Sequence, residues 1–321
     1  MSAETPPHRF AWPFDGQPYR FFTNVEPAGA EVRTAGGSWG ATVFQADEAY
    51  PEVIAERREI LRRRPRAAAA LPHMHAAEWD ALTWVFERFA AEHPRVATAD
   101  LTDPSRVRWR NTVTGSELDL TQDGTAHPLA VAAHEVAEDL FLLDLRDGAL
   151  RLDAVAATFV ASWSSTFSLG MSFSDLHGPI PRLHGSGMVA RTERFLRALQ
   201  PGEVVRRLNW SMQPTGDLDA SVDARHTWPG EDDLRRRVVA DPGTLRLRIE
   251  IQHLTALPAT GAILFTIATQ LTPLARLVTV PEWRDQLELV LSELPEDMAA
   301  YKSFADVREP VLAYLSSRSA S

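Results

Sequence analysis

Hydrophobic residues recur with helical spacing at both ends of the chain and alternate with polar residues in between. Residues 76–91 predict the clearest helix, because Trp79, Leu82, Val85, Phe86 and Phe89 form one apolar stripe. Helices are also predicted at residues 47–64, 127–143, 187–199, 283–294 and 298–315. Strands are predicted at residues 108–115, 150–160, 204–212, 244–252 and 262–270. This order, helices followed mostly by strands and then helices again, predicts an α+β fold.

The strand at residues 244–252 has the most regular alternation in the chain. Arg246, Arg248, Glu250 and Gln252 fall on one face of it, and a turn at residues 257–261 leads into the partner strand. A hairpin with a charged face follows from this pattern. The pattern alone is equally compatible with a solvated face and with a functional one.

The segment 176–181 (LHGPIP) holds a histidine at a point where regular structure must stop. Proline lacks an N–H group, fixes φ and biases the preceding residue toward extended geometry, so His177 is followed by a stiff turn. A fixed imidazole direction suits an axial metal or heme ligand. From these six residues alone, a histidine that caps the end of a strand is the more frequent case.

Composition narrows the classes of function. The 321 residues carry a formal net charge of −10, which argues against nucleic acid or an anionic membrane as the main partner. The chain has no cysteine, so disulfides, thiolate-ligated heme and cysteine-bound iron–sulfur clusters are excluded. The N-terminus lacks the features of a signal peptide, and no apolar run approaches the roughly 20 residues of a membrane span, so we expect a cytoplasmic protein.

Two other groups of histidines resemble metal sites only superficially. His73 and His75 stand two residues apart, but no third ligand lies near them in the sequence. The segment beginning at His134 has the start of a two-histidine zinc motif, but Glu138 occupies the second histidine position. We therefore predict loop histidines in the first case and reject a zinc protease in the second.

Taken together, these segments resemble the heme-binding subunit of the heme-dependent oxidative N-demethylases, the dimethylamine and trimethylamine monooxygenase group. Residues 177–181 stand for the family's IHxPVP motif. The other matching segments, in chain order, are residues 47–50, 54–58, 128–129, 138–140, 163, 169–170, 194–196, 209–210, 248–250, 252, 257–258, 261–265 and 301–302. The resemblance extends from about residue 45 to about residue 315.

The resemblance implies a PAS-like antiparallel sheet core that encloses heme b, flanked by N- and C-terminal helices. The proline, glycine and aromatic content of residues 1–44 predicts an irregular N-terminal wrap. One heme-binding α+β domain is expected at 45–318, with the PAS-like core at roughly 105–275. The implied activity is a monooxygenase that uses O2 to demethylate a small amine. NADPH would act only through a separate flavin and iron–sulfur reductase subunit; assembly into a homo-oligomer is left open.

The resemblance also assigns roles to single residues. His177 is the expected axial iron ligand, and Arg248, Asn209 and Gln252 are expected to contact the heme, with Arg248 pairing with a propionate. Glu250 and His253 are the expected catalytic residues, although His253 could equally face solvent.

Four positions depart from the family pattern. Ile251 and Ala256 replace arginines, His253 replaces a threonine and Ser168 replaces a lysine. The loss of cationic donors is expected to change how oxygen or substrate is held. Two alternatives therefore stay open: a heme-binding PAS-type sensor or storage protein without turnover, and a relative that has lost the heme.

Overall fold

The computed structural model describes residues 4–21 and 24–318, which form a mixed α+β structure. Its helices are α1 (Tyr50–Arg63), α2 (His75–Glu92), α3 (Pro128–Ala133), α4 (Ser165–Ser168), α5 (Phe173–Leu176), α6 (Met188–Leu196), α7 (Glu231–Ala240), α8 (Leu274–Leu277), α9 (Pro281–Glu293), α10 (Glu296–Tyr301) and α11 (Arg308–Ser317). Its strands are β1 (Glu26–Pro27), β2 (Val32–Thr34), β3 (Gly37–Trp39), β4 (Ala68–Ala70), β5 (Ala97–Asp100), β6 (Arg106–Asn111), β7 (Ser116–Thr121), β8 (Asp139–Arg146), β9 (Ala149–Ala156), β10 (Val204–Gln213), β11 (Arg246–Ala256) and β12 (Ile263–Pro273).

A seven-stranded antiparallel sheet organises the structure, with the order β1-β10-β11-β12-β8-β9-β4. The predicted hairpin is β11 and β12, joined by the turn at residues 257–261. Its register places Glu250 opposite Asn209 on one side and Thr269 on the other, and Gln252 opposite Arg207 and Ile267. A small sheet, β5-β6-β7, and the hairpin β2-β3 lie apart from it.

The back of the large sheet packs against helices. Leu247, Ile249 and Ile251 of β11 are buried in a cluster with α9 and α11, and each such side chain contributes about 1.5–3 kcal/mol by its burial. Trp283 of α9 stacks on Trp12, with ring centroids 4.5 Å apart, which ties the N-terminal segment to this layer. Helices α2 and α3 cover the back of β8 and β9 in a second cluster.

The segment 127–143 is not one helix, as its sequence predicts, but a helix followed by a strand. Helix α3 ends at Ala133, and β8 begins at Asp139. Glu135 turns its carboxylate into the interior, where it accepts hydrogen bonds from Arg58 (2.6 Å), Trp109 (3.0 Å) and other side chains. These tertiary contacts outweigh the helical propensity of a continuous apolar run.

The predicted helix at residues 298–315 is also interrupted. Helix α10 ends at Tyr301, and Ser303 adopts the left-handed conformation with φ of 57°. Phe304 then enters the core fully buried, and α11 starts at Arg308. This break leaves Lys302 outside the helix, with its side chain directed inward.

Among the described residues, no helix combines the length and the apolar character that crossing a bilayer requires. The segments predicted at residues 47–64, 76–91, 187–199 and 283–294 are helices, with bounds that differ by a few residues.

Candidate functional site

The front of the large sheet forms one wall of a cavity of about 1540 Å³. Typical small-molecule pockets measure about 300–1,000 Å³, so this space accepts a ligand of porphyrin size. The central strands contribute an apolar surface to it. Its members are Phe141, Leu143, Leu152, Leu254, Phe265 and Ile267.

Helices α4 to α6 and their connections form the facing wall. They are inserted between β9 and β10, so the chain leaves the sheet, covers the cavity and returns to the sheet. Apolar side chains of this segment line the cavity: Phe173, Leu176, Ile180, Leu183, Val189 and Leu196. Phe141 bridges the two walls, since its ring lies 5.7 Å from that of Trp163 and 5.5 Å from that of Phe265.

His177 lines this cavity at the C-terminal end of α5. It follows the last residue of a short helix rather than a strand, and the turn at residues 177–181 continues from it, as the prolines predict. Its Nδ1 lies 2.7 Å from the carbonyl oxygen of Phe173. Because a carbonyl only accepts, Nδ1 carries the proton. This bond fixes the ring, and in the neutral tautomer it makes Nε2 the nitrogen that carries the lone pair, the arrangement found in histidines that ligate metals.

A polar group lies on the sheet side of the cavity, where Asn209, Glu250 and Gln252 all line it. The Glu250 carboxylate accepts hydrogen bonds from Asn209 Nδ2 at 3.2 Å and from Gln252 Nε2 at 2.9 Å. Arg207 joins the group by donating to Gln252 Oε1 at 3.1 Å. The predicted face of β11 is therefore buried against a cavity rather than solvated, and it places a held carboxylate there.

Arg248 shares a face with Glu250 but does not line the cavity. It is fully buried and donates to Gln213, to the carbonyl oxygens of Leu218 and Phe159 and to Thr269. These groups occupy its guanidinium within the protein. The structure thus brings Arg248 next to the site without placing it at the cavity surface.

His253 lies on the opposite face of β11, away from the cavity. It is 2% exposed, and neither of its ring nitrogens has a hydrogen-bond partner among the described residues. Burial, reinforced by Arg206 and Arg88, lowers the pKa of His253 to about 3, so the ring is neutral.

Of the four departures from the family pattern, Ser168 lines the cavity, whereas Ile251, His253 and Ala256 do not. The two positions where the family pattern has arginine, Ile251 and Ala256, are therefore away from the cavity, and only the position of the family lysine, Ser168, lines it.

Sequence reasoning gave no role to two cations that line the cavity. Arg207 and Lys302 both do so, and Lys302 is only 6% exposed. Burial, together with the charge of Arg207, lowers the pKa of Lys302 to about 7. Alternation along β10 could have placed Arg207 beside Asn209, but no local signal marks Lys302 as buried.

His73 and His75 do not share a site. His73 lies near Asp144 and Asp153, a grouping that could hold a metal ion, whereas His75 contacts the carbonyl oxygen of Thr125. Arg146 donates to both oxygens of Asp153, at 3.0 and 3.1 Å. Because that carboxylate is already neutralised by a guanidinium, the grouping is explained as an ion-pair cluster.

The residues at the cavity fit a histidine-ligated heme. They supply a large apolar space, an imidazole whose ring orientation is fixed and the basic side chains of Arg207 and Lys302. A family model described as haem-dependent oxidative N-demethylase, alpha subunit-like, matches residues 36–312, which include both walls of this cavity and every cavity residue named above. The chain therefore belongs to the haem-dependent oxidative N-demethylase alpha-subunit-like family.

Proposed function

We propose that this chain is the heme-binding subunit of an oxidative N-demethylase, with His177 as the axial ligand. One observation carries the proposal: the His177 ring, held through Nδ1 by the Phe173 carbonyl, opens on a cavity of about 1540 Å³. In a chain without cysteine, histidine is the natural strong ligand. In the sheet, β8 lies between β9, the next strand of the sheet along the chain, and β12, the last one. Helices α4 to α6 are inserted after β9. This arrangement supports a PAS-like core.

The reaction would convert an N-methyl amine and O2, with two electrons and two protons, into the demethylated amine, formaldehyde and water. Heme b, when bound, supplies the oxygen activation and the one-electron chemistry of this conversion. The electrons would come from NADPH through a flavin and iron–sulfur reductase subunit, a partner that fits the alpha-subunit description of the family.

The chain's own residues would bind and orient the reactants. The apolar walls, including Phe141 and Phe265, would shield the apolar part of a bound amine from water. Glu250, fixed by Asn209 and Gln252, presents a carboxylate to the cavity, which attracts a protonated amine and is able to accept its proton. Arg248 and His253 stay predictions from the resemblance, with no role at the cavity surface in this mechanism.

Formaldehyde release tests the proposal. Protein loaded with hemin is mixed with a surrogate ferredoxin-type reductase, NADPH and a panel of secondary and tertiary methylamines. The expected result is formaldehyde in proportion to amine-dependent NADPH consumption, and a loss of at least tenfold in kcat for Glu250→Gln. Heme binding without formaldehyde from any amine would support the sensor or storage alternative. Failure to bind hemin at all would support the heme-free alternative.

A further inference from the structure

We propose that Arg207 and Lys302 form a subsite for a carboxylate group at the polar end of the cavity. The inference rests on the proposed function, because it names a chemical group that the porphyrin or the amine substrate must carry. It also concerns two side chains to which the preceding mechanism gives no role.

Arg207 reaches the cavity from the middle of β10. Its Nη1 donates to the amide oxygen of Gln252 at 3.1 Å, and its Nε is buried with no hydrogen-bond partner among the described residues. Within the part of the chain that the structure describes, no carboxylate lies within 4.0 Å of this guanidinium. This half-buried guanidinium donates to a neutral amide and has no ion-pair partner among the described residues, so it can bind an anion.

Lys302 approaches the same region from the break between α10 and α11. Its Nζ donates to the carbonyl oxygen of Trp210 at 2.7 Å and lies 4.2 Å from the centre of the Trp210 ring. These contacts fix the ammonium group but do not neutralise it. No ion pair of Lys302 occurs within residues 4–21 and 24–318.

The carboxylate of Glu250 is the negative charge that acts on both Arg207 and Lys302, and it already accepts hydrogen bonds from other side chains. Its carboxylate holds Asn209 and Gln252, and it lies 3.8 Å from Arg248 Nε. One carboxylate therefore lies in a region that contains two buried basic side chains, Arg248 and Lys302, and the half-buried Arg207. Burial and then the charge of Arg207 lower the pKa of Lys302, and the opposing effect of Glu250 does not offset them.

A ligand carboxylate would supply the missing negative charge. Arginine and lysine donate charge-assisted hydrogen bonds to such a group, and each is worth about 1.5–3 kcal/mol, which corresponds to about 10- to 150-fold in affinity. Two sources share this chemistry: a propionate of the porphyrin and the carboxylate of an N-methylated amino acid. The first would orient the cofactor, and the second would define the substrate class.

The first arm of the experiment measures binding of iron-free protoporphyrin IX and of its dimethyl ester by fluorescence titration. We expect wild-type protein to prefer the free acid at least tenfold if a propionate occupies the subsite, and Arg207→Gln and Lys302→Met to lose that preference. The matched control is Arg225→Gln, a cation at the cavity that already pairs with Glu231 at 3.5 Å. Circular dichroism establishes that each variant is folded.

The second arm compares N,N-dimethylglycine with N,N-dimethylethylamine by calorimetry, with and without hemin. A substrate carboxylate in the subsite predicts at least tenfold tighter binding of the amino acid, lost in the same two variants. At pH 8 its binding should also take up close to one proton, since the carboxylate raises the pKa of Lys302. Lys302→Arg should keep the affinity and abolish the proton uptake.

The proposal is overturned if neither arm shows more than twofold discrimination, or if Arg225→Gln removes the preference as fully as Arg207→Gln. The heme proposal fails separately. His177→Ala should weaken iron coordination yet leave the discrimination between protoporphyrin and its ester intact. A carboxylate preference in a protein that never ligates iron would refute the proposed function and leave the subsite standing.

Discussion

The buried carboxyl of Glu138 gives a stability prediction that does not depend on any ligand. The side chain is fully buried, and its Oε1 accepts a hydrogen bond from the Gln45 backbone N–H at 2.8 Å. Its Oε2 has no partner among the residues that the structure describes, so little offsets the cost of burying a charged carboxylate. Burial raises the pKa of Glu138 from 4.5 to about 8.

The sign of the effect follows from proton counts. Below pH 4.5 both the native and the unfolded state hold the proton, so the contribution of Glu138 to stability is complete. Between pH 4.5 and 8 the unfolded chain releases the proton and the native state keeps it, so stability falls as the pH rises. One unit of pKa corresponds to about 1.4 kcal/mol, which gives a loss of about 3–4 kcal/mol between pH 5 and pH 8.

Urea unfolding of Glu138→Gln at pH 5 and pH 8 checks this value. The glutamine is neutral at both values and keeps an acceptor for Gln45, so the variant should become more stable relative to wild type by about 3–4 kcal/mol over this interval. Glu117→Gln is the control, because Glu117 is 73% exposed in its pair with Arg110 and should show a constant difference within about 0.5 kcal/mol. Parallel pH profiles for wild type and Glu138→Gln would refute the reasoning.

Further variants test the interior and the cavity. In the native protein the buried Arg57 guanidinium lies 2.8 Å from the Asp139 carboxylate. Asp139→Asn removes this counter-charge and should lower the free energy of unfolding by about 3–5 kcal/mol in urea titrations. A loss below about 1 kcal/mol would contradict that. Leu254→Trp, on the cavity face of β11, should block hemin binding while changing the unfolding free energy little. Ile251→Trp, on the packed face, should cost about 1–3 kcal/mol and spare the cavity; the reverse result would mean that the faces are assigned wrongly.

The alternation in β11 predicted which residues share a face but not what that face contacts. Glu250 and Gln252 do lie together, as the two-residue period requires, yet they border a cavity rather than solvent. The helices that cover the cavity come from residues 165–196, a distant part of the chain. Such a long-range contact leaves no trace in the pattern of a single strand.

The motif around His177 was informative because its cause is local. Prolines fix the backbone whatever surrounds them, so the end of regular structure at His177 followed from the sequence. The type of element that precedes it did not follow, since a single helical turn over Phe173–Leu176 is too short to have a recognisable period.

The burial of Lys302 could not be predicted from the sequence. Its burial depends on the left-handed turn at Ser303 and on the carbonyl of Trp210, which comes from a strand far away in the sequence. The one proline in residues 298–315, Pro310, lies in the first turn of α11 and does not mark the position of the break at Lys302. Tertiary packing of Phe304 determines the break instead.

The absorption spectrum of hemin-loaded protein, compared between wild type and His177→Gly with and without added imidazole, tests the central claim most directly. If His177 Nε2 ligates the iron, wild type shows a sharp Soret band, the glycine variant loses it, and free imidazole restores the wild-type spectrum by filling the vacated position. A His177→Gly variant whose spectrum matches wild type, unaffected by imidazole, would show that the ligand is another residue.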